Sequence, residues 1–216
     1  MPDIPPTLIR LCFVIVGLSI WYLTQHLIKN RPNGEGVIGD GLHSLTEPVF
    51  NYFAKNPQSA NLLLISSSLV IDVLGLFVLG LSIFGPTIRP FLGLAICFSL
   101  RQVCQGLCAL PAPQGMIWRS PGVPTLLVTY GVANDLFFSG HTAMAVYGAI
   151  ELACWGGTAC VIAGVAAALF EIATVIVLRA HYTMDVYGGA VTAIVAAFAA
   201  RAWAPPVDAW ISSFAA

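Results

Sequence analysis

Residues 158–179 read TACVIAGVAAALFEIATVIVLR, and this run decides which solvent the chain folds in. Glu171 is its one charged residue before Arg179. The run reaches the roughly 20 apolar residues that a helix needs to cross a bilayer. Its alanine-rich centre, Ala163 to Ala168, offers the small surfaces that let membrane helices approach closely. Working outward, comparable apolar runs lie at 7–28, 60–84, 87–110, 136–155 and 183–203. Six candidate spans predict an all-α, multi-pass integral membrane protein. We expect one membrane domain over 1–216: an anchor helix and interfacial segment over 1–60, then a five-span catalytic core over 60–205.

Composition supports the same reading. Of 216 residues, 58% are hydrophobic and only 9% charged, against about 25% charged in soluble domains. A formal net charge of −1 with no basic cluster argues against nucleic acid as a partner. Six cysteines show no Cys-x-x-Cys or Cys/His ligand spacing, so neither zinc nor a required disulfide is expected. The first run is longer than the h-region of a signal peptide and ends without a small-x-small cleavage site. It reads as an uncleaved anchor.

Two connections matter. Lys29 to Gly36 has turn chemistry, whereas Leu42 to Phe53 mixes apolar and polar residues and is expected to lie along the membrane interface. Residues 111–135, rich in Pro and Gly, form the other long polar-side connection. Because successive spans alternate direction, three places meet at one membrane face. These are the end of the third span with Arg101, the start of the fourth with Ser139-Gly140-His141, and the start of the sixth with His181 and Asp185.

Ionisable groups inside spans are functional candidates by default. His181 and Asp185, four apart, share one helix face. A carboxylate near one imidazole nitrogen fixes the tautomer and leaves the other lone pair free to attack, although the same pair also stabilises a helix start. Ser139 to His141 open the fourth span, where unpaired first-turn N–H groups and the helix dipole suit an anion such as phosphate. Ser139 suits both an N-cap and a ligand, Gly140 allows close backbone approach, and His141 is placed to give a proton or to sit at the interface. Arg101 and Arg179 have paired donors matched to phosphate oxygens, and Arg179, at a span end, can also snorkel. Asp135 suits a cap or a cationic headgroup. Asp72, Glu151 and Glu171 are expected to be protonated or hydrogen-bonded within the bundle. Trp118, Tyr130, Tyr147, Tyr182 and Tyr187 suit cation–π contacts to a cationic headgroup, although aromatics are expected at a membrane interface in any case.

Phe138-Ser-Gly-His-Thr142 and His181-Tyr-Thr-Met-Asp-Val186 resemble the paired signatures of sphingomyelin synthases, within the type-2 phosphatidate phosphatase superfamily of lipid phosphatases and transferases. The closer resemblance is to the plant phosphatidylcholine:diacylglycerol cholinephosphotransferases, carried by Arg101, Leu110-Pro-Ala-Pro-Gln114 and Arg179. It covers roughly residues 87–195. It implies a six-helix core of the lipid phosphatase and sphingomyelin synthase type that needs no metal and no cofactor. It further implies His181 as nucleophile, Asp185 as its orienting partner and His141 as general acid, with Arg101, Arg179, Ser139 and Gly140 holding phosphate. Two departures favour transfer over simple phosphatase activity: Ser82 and Val175 stand where the phosphatase branch has a lysine and an arginine.

The expected reaction moves a phosphocholine- or phosphoethanolamine-type headgroup from a membrane phospholipid to a lipid alcohol, diacylglycerol or ceramide-like, through a phosphohistidine. The alternative acceptor is water, which makes a metal-independent lipid or polyprenyl phosphate phosphatase. The non-enzymatic alternative is a scaffold or transporter whose polar residues only bind.

Overall fold

A computed structural model describes residues 5–29, 35–130 and 136–214. The central part of the turn at 29–36, together with Asp135, lies outside the described residues. The described residues form eight helices in chain order: α1 Pro6–Lys29, α2 Gly41–Leu45, α3 Glu47–Lys55, α4 Pro57–Phe84, α5 Arg89–Leu107, α6 Gly140–Trp155, α7 Thr158–Val177 and α8 Thr183–Ser212. Among the described residues there is no strand.

Among the described residues five helices, α1, α4, α5, α7 and α8, are long and apolar enough to cross a membrane. The fourth expected span, 136–155, is realised as the 16-residue α6. At 1.5 Å per residue it is about 24 Å long, short of a hydrocarbon core of about 30 Å. The reason lies in its first four residues. Leu136 to Ser139 stay non-helical, and their backbone serves the candidate site instead. The six-span expectation therefore stands at five spanning helices around a shorter one.

α6 is the centre of the bundle, with Thr142, Ala143, Ala145, Tyr147, Gly148 and Glu151 buried against α4, α5, α7 and α8. Its closest neighbour is α7. A Cβ on Gly164 would lie 2.9 Å from Ala149 Cα, so only glycine fits that crossing. Each of the three mid-bundle carboxyls accepts hydrogen bonds. Arg89 on α5 donates to both carboxylate oxygens of Glu151, at 2.9 and 2.7 Å. Ser67 Oγ donates to Glu171 at 2.7 Å. Asp72 accepts the backbone N–H groups of Leu126 and Leu127, at 3.0 and 2.9 Å. These bonds meet the expectation that the three mid-bundle carboxyls are held inside the protein, and they pin the 111–130 connection to α4.

Two faces result. On one, Arg10 of α1 donates to the carbonyls of Gly85 and Pro86 and to Asp208 of α8. The other gathers the C-terminal ends of α1, α5 and α7 and the N-terminal ends of α4, α6 and α8. Across it lie the short α2 and α3, neither long enough to span, with Phe50 of α3 buried.

Candidate active site

α7 ends in a tight reversal that delivers His181. Arg179 takes φ 53°, the left-handed conformation with which helices commonly terminate. The N–H groups of Ala180 and His181 then both return to the carbonyl of Val175, at 2.8 and 3.3 Å. Two residues later α8 begins. Its first turn is closed by a capping box in which the Asp185 carboxylate accepts the Tyr182 N–H at 2.9 Å.

His181 is buried and its ring is oriented from two sides. Nδ1–H donates to the Leu136 carbonyl at 3.0 Å, while the Asp185 Oδ2 lies 3.7 Å from the same nitrogen. The carbonyl makes the hydrogen bond and the carboxylate adds charge at longer range. Either way Nδ1 carries the proton and the Nε2 lone pair is left available. Asp185 thus faces two ways, capping α8 with Oδ2 while its buried Oδ1 has no partner among the described residues.

A second scaffold holds the turn from outside. His43 Nε2–H donates to the His181 backbone carbonyl at 2.9 Å, and its ring stacks on Tyr182 with centroids 5.7 Å apart. Asp40 caps α2 through the N–H groups of Leu42 and His43 and also accepts the N–H and hydroxyl of Thr183, at 2.6 and 2.7 Å. The sequence reading singled out neither Asp40 nor His43. The available signal was a short one, an aspartate two before a Leu-His pair that opens an amphipathic stretch.

The start of α6 supplies the other half. Ser139 is fully buried; its Oγ accepts the Thr142 N–H at 3.2 Å, and its own N–H donates to the Asp185 carbonyl at 3.0 Å. The two helix starts are therefore joined through backbone. Arg101, buried on α5, donates from Nε to the Phe138 carbonyl at 3.0 Å. Its guanidinium lies so close to Gly140 that a Cβ there would be 2.9 Å from Nε and 3.1 Å from Cζ. His141 packs edge-on against Trp118, with centroids 4.9 Å apart, and its shielded Nε2 has no partner among the described residues.

Arg101, Gly140, His141 and His181 line one cavity of about 640 Å³. Ser139 and Asp185 stand behind it, outside the lining. Arg179 points elsewhere: its guanidinium lies 3.9 Å above the Phe50 ring and donates to the Gln114 carbonyl at 3.1 Å. Of the five aromatic candidates, Trp118 lines the cavity. Tyr147 donates to the Pro90 carbonyl, Tyr182 to that of Pro111, and Tyr187 is exposed. The connection carrying Trp118 folds over the site, tied by Ile117 N–H to the Leu178 carbonyl at 2.9 Å.

A bundle of helices able to cross a bilayer, closed around one cavity with a charged end, belongs to the class of membrane proteins. The AtPDCT1/2 family model matches residues 40–202, and the chain belongs to that family, the phosphatidylcholine:diacylglycerol cholinephosphotransferases, which are enzymes acting on phospholipids. The match opens on Asp40, the residue that holds Thr183. No curated protein and no solved structure matches the chain.

Proposed function

We propose that the protein transfers a phosphate-bearing headgroup, phosphocholine- or phosphoethanolamine-like, from a phospholipid to a lipid alcohol such as diacylglycerol or a ceramide-like acceptor. It does so as a single membrane domain of the lipid phosphatase and sphingomyelin synthase type. The observation that carries the reading is the shared cavity. Two histidines and an arginine stand at one end of a space whose remaining lining is mainly apolar.

The mechanism has two steps. His181 Nε2 attacks phosphorus while the bond from phosphorus to the diacylglycerol oxygen breaks, and His141 gives that oxygen a proton. A phosphohistidine remains. His141, now a base, takes the proton of the incoming hydroxyl, whose oxygen attacks phosphorus and frees His181. Arg101 and the start of α6 at Gly140 stabilise the phosphoryl oxygens, with Ser139 holding that helix start in place. Asp185 and the Leu136 carbonyl stabilise the charged imidazole. The Arg179 guanidinium anchors the connection at Gln114, so the phosphate falls to Arg101. A largely apolar cavity favours a lipid acceptor over water.

The test is the purified protein in liposomes with headgroup-labelled phosphatidylcholine and a panel of acceptors. Label appearing in new phospholipid only when a lipid alcohol is supplied supports transfer. Release of free phosphocholine without any acceptor would make it a hydrolase. Failure to form an acid-labile phosphoenzyme would leave a binding protein.

A further inference from the structure

The cavity extends well beyond the phosphate layer, along a seam between α1 and α5. These helices run parallel. Gln102 Nε2 donates to Gln25 Oε1 at 3.0 Å near the site, and at the far face Arg10 reaches the Gly85 and Pro86 carbonyls. Between these ties the seam stays open, lined by Phe13, Gly17 and Ile20 from α1 and by Phe91, Ala95 and Phe98 from α5. From Arg101 back to Phe91 is ten residues of helix, about 15 Å, or half of a hydrocarbon core of about 30 Å. Phe91 closes the end: a Cβ on Gly17 would lie 2.6 Å from its ring.

At the neck of this arm α1 presents the indole N–H of Trp21, which is shielded and lacks a partner among the described residues. Trp21 itself lines the cavity. An unpaired N–H in an apolar surrounding is costly, and a membrane supplies no water to relieve it. Such a donor one helical turn, ~6 Å, below the Gln25–Gln102 tie and the phosphate layer beside it marks a place for a carbonyl oxygen.

We infer that the α1–α5 seam is an acyl-chain site for a glycerolipid: Trp21 Nε1–H donates to a fatty-ester carbonyl, and the chain runs one leaflet deep to Phe91. The inference rests on the headgroup-transfer reading for the orientation of the lipid, with phosphate at Arg101 and the chain below it. It makes α1, which precedes the family-matched segment, a specificity wall.

The experiment compares diacyl with dialkyl-ether glycerolipids, and short with long chains, as acceptors in proteoliposomes. The wild type is expected to prefer the ester. Trp21→Phe, which keeps a ring but removes the N–H, is expected to erase that preference through KM rather than kcat. Ala95→Phe, which obstructs the arm midway, is expected to shift the long-to-short rate ratio at least about tenfold toward short chains. Phe91→Ala is expected to shift it the other way. Ester and ether lipids used equally by the wild type, with chain preference unmoved by Ala95→Phe and Phe91→Ala, overturn the acyl site while leaving headgroup transfer intact.

A readout independent of turnover separates the two ideas. Diacylglycerol bearing a diazirine at one chain terminus is photolysed with the protein and the labelled peptides are mapped. Label concentrated on the segments holding Phe13 and Phe91 supports the arm even if no exchange is detected. Label spread over outward residues such as Leu69 and Leu76 removes it.

Discussion

His43 donates a hydrogen bond from Nε2 to the backbone carbonyl of His181, at 2.9 Å, across 138 residues of sequence. The short helix α2 thereby holds the carbonyl of the proposed nucleophile. The bond fixes peptide orientation rather than taking part in chemistry, so His43 is a positioning residue. Its loss is expected to act on rate through geometry. His43→Ala should lower kcat for headgroup exchange by about ten- to a hundredfold with a smaller effect on KM. His43→Gln, which keeps a donor, should recover part of it. Equal rates for His43→Ala and wild type, measured in liposomes, would remove His43 from the site.

Asp40 should make the neighbouring contact to Thr183 sensitive to acid. Burial pushes its carboxyl up, but the hydrogen bonds from the Thr183 hydroxyl and N–H and from His43, with the nearby His43 charge, outweigh it and hold the group below the usual range. A folded-state pKa below the unfolded one contributes stability that is present above about pH 4 and is lost as pH falls through the lower folded value. The α2–α8 joint should therefore be firm at neutral pH and loosen only below about pH 4. Hydrogen exchange at the Thr183 amide against pH measures this. Asp40→Asn, whose amide nitrogen cannot accept from Thr183, should exchange faster at neutral pH and lose the acid dependence.

The two imidazoles should separate in their effects. His181→Ala is expected to abolish both headgroup exchange and the acid-labile phosphoenzyme. His141→Ala should slow exchange by about a hundred- to ten-thousandfold, the range of a lost general acid–base. Because the proposed nucleophile is a histidine, a chelator should leave the wild-type rate unchanged. Exchange retained in His181→Ala, followed with labelled phosphatidylcholine, would end the proposed mechanism.

Arg101 and Arg179 are expected to differ. Arg101 lines the cavity and bonds the Phe138 carbonyl, whereas Arg179 stacks on Phe50. Arg101→Gln should therefore lose more exchange activity than Arg179→Gln, by about a hundredfold if one phosphate-stabilising donor pair is removed. Gly140→Ala should mimic the stronger loss, since its methyl would meet the Arg101 guanidinium at 2.9 Å. Overpacking of this kind costs about 1–3 kcal/mol, which a melting curve would register. A rank order with Arg179→Gln the more damaging would return the phosphate to Arg179.

What was legible in the sequence was legible because it is local or cumulative. Length and apolarity of a run are sums along the chain, so the runs that form α1, α4, α5, α7 and α8 stood out. The spacing of His181 and Asp185 follows from helical periodicity, and Ser139 before Gly140 and His141 reads as a helix start wherever it occurs. Those signals suffice to place Arg101, His141 and His181 at one layer, and all three line one cavity.

Tertiary structure decided what the side chains and carbonyls do there. His181 Nδ1–H donates to the Leu136 carbonyl, which is available because residues 136–139 forgo the helix that their apolarity suggests. Arg179 turns to Phe50 because its left-handed backbone ends α7. Asp40 and His43 reach residues about 140 positions away, and Trp21 acquires meaning only beside α5. Hydropathy and periodicity carry information over a few helical turns. Which distant carbonyl meets which donor is settled by packing, where burial without water makes each unpaired group costly enough to select one arrangement.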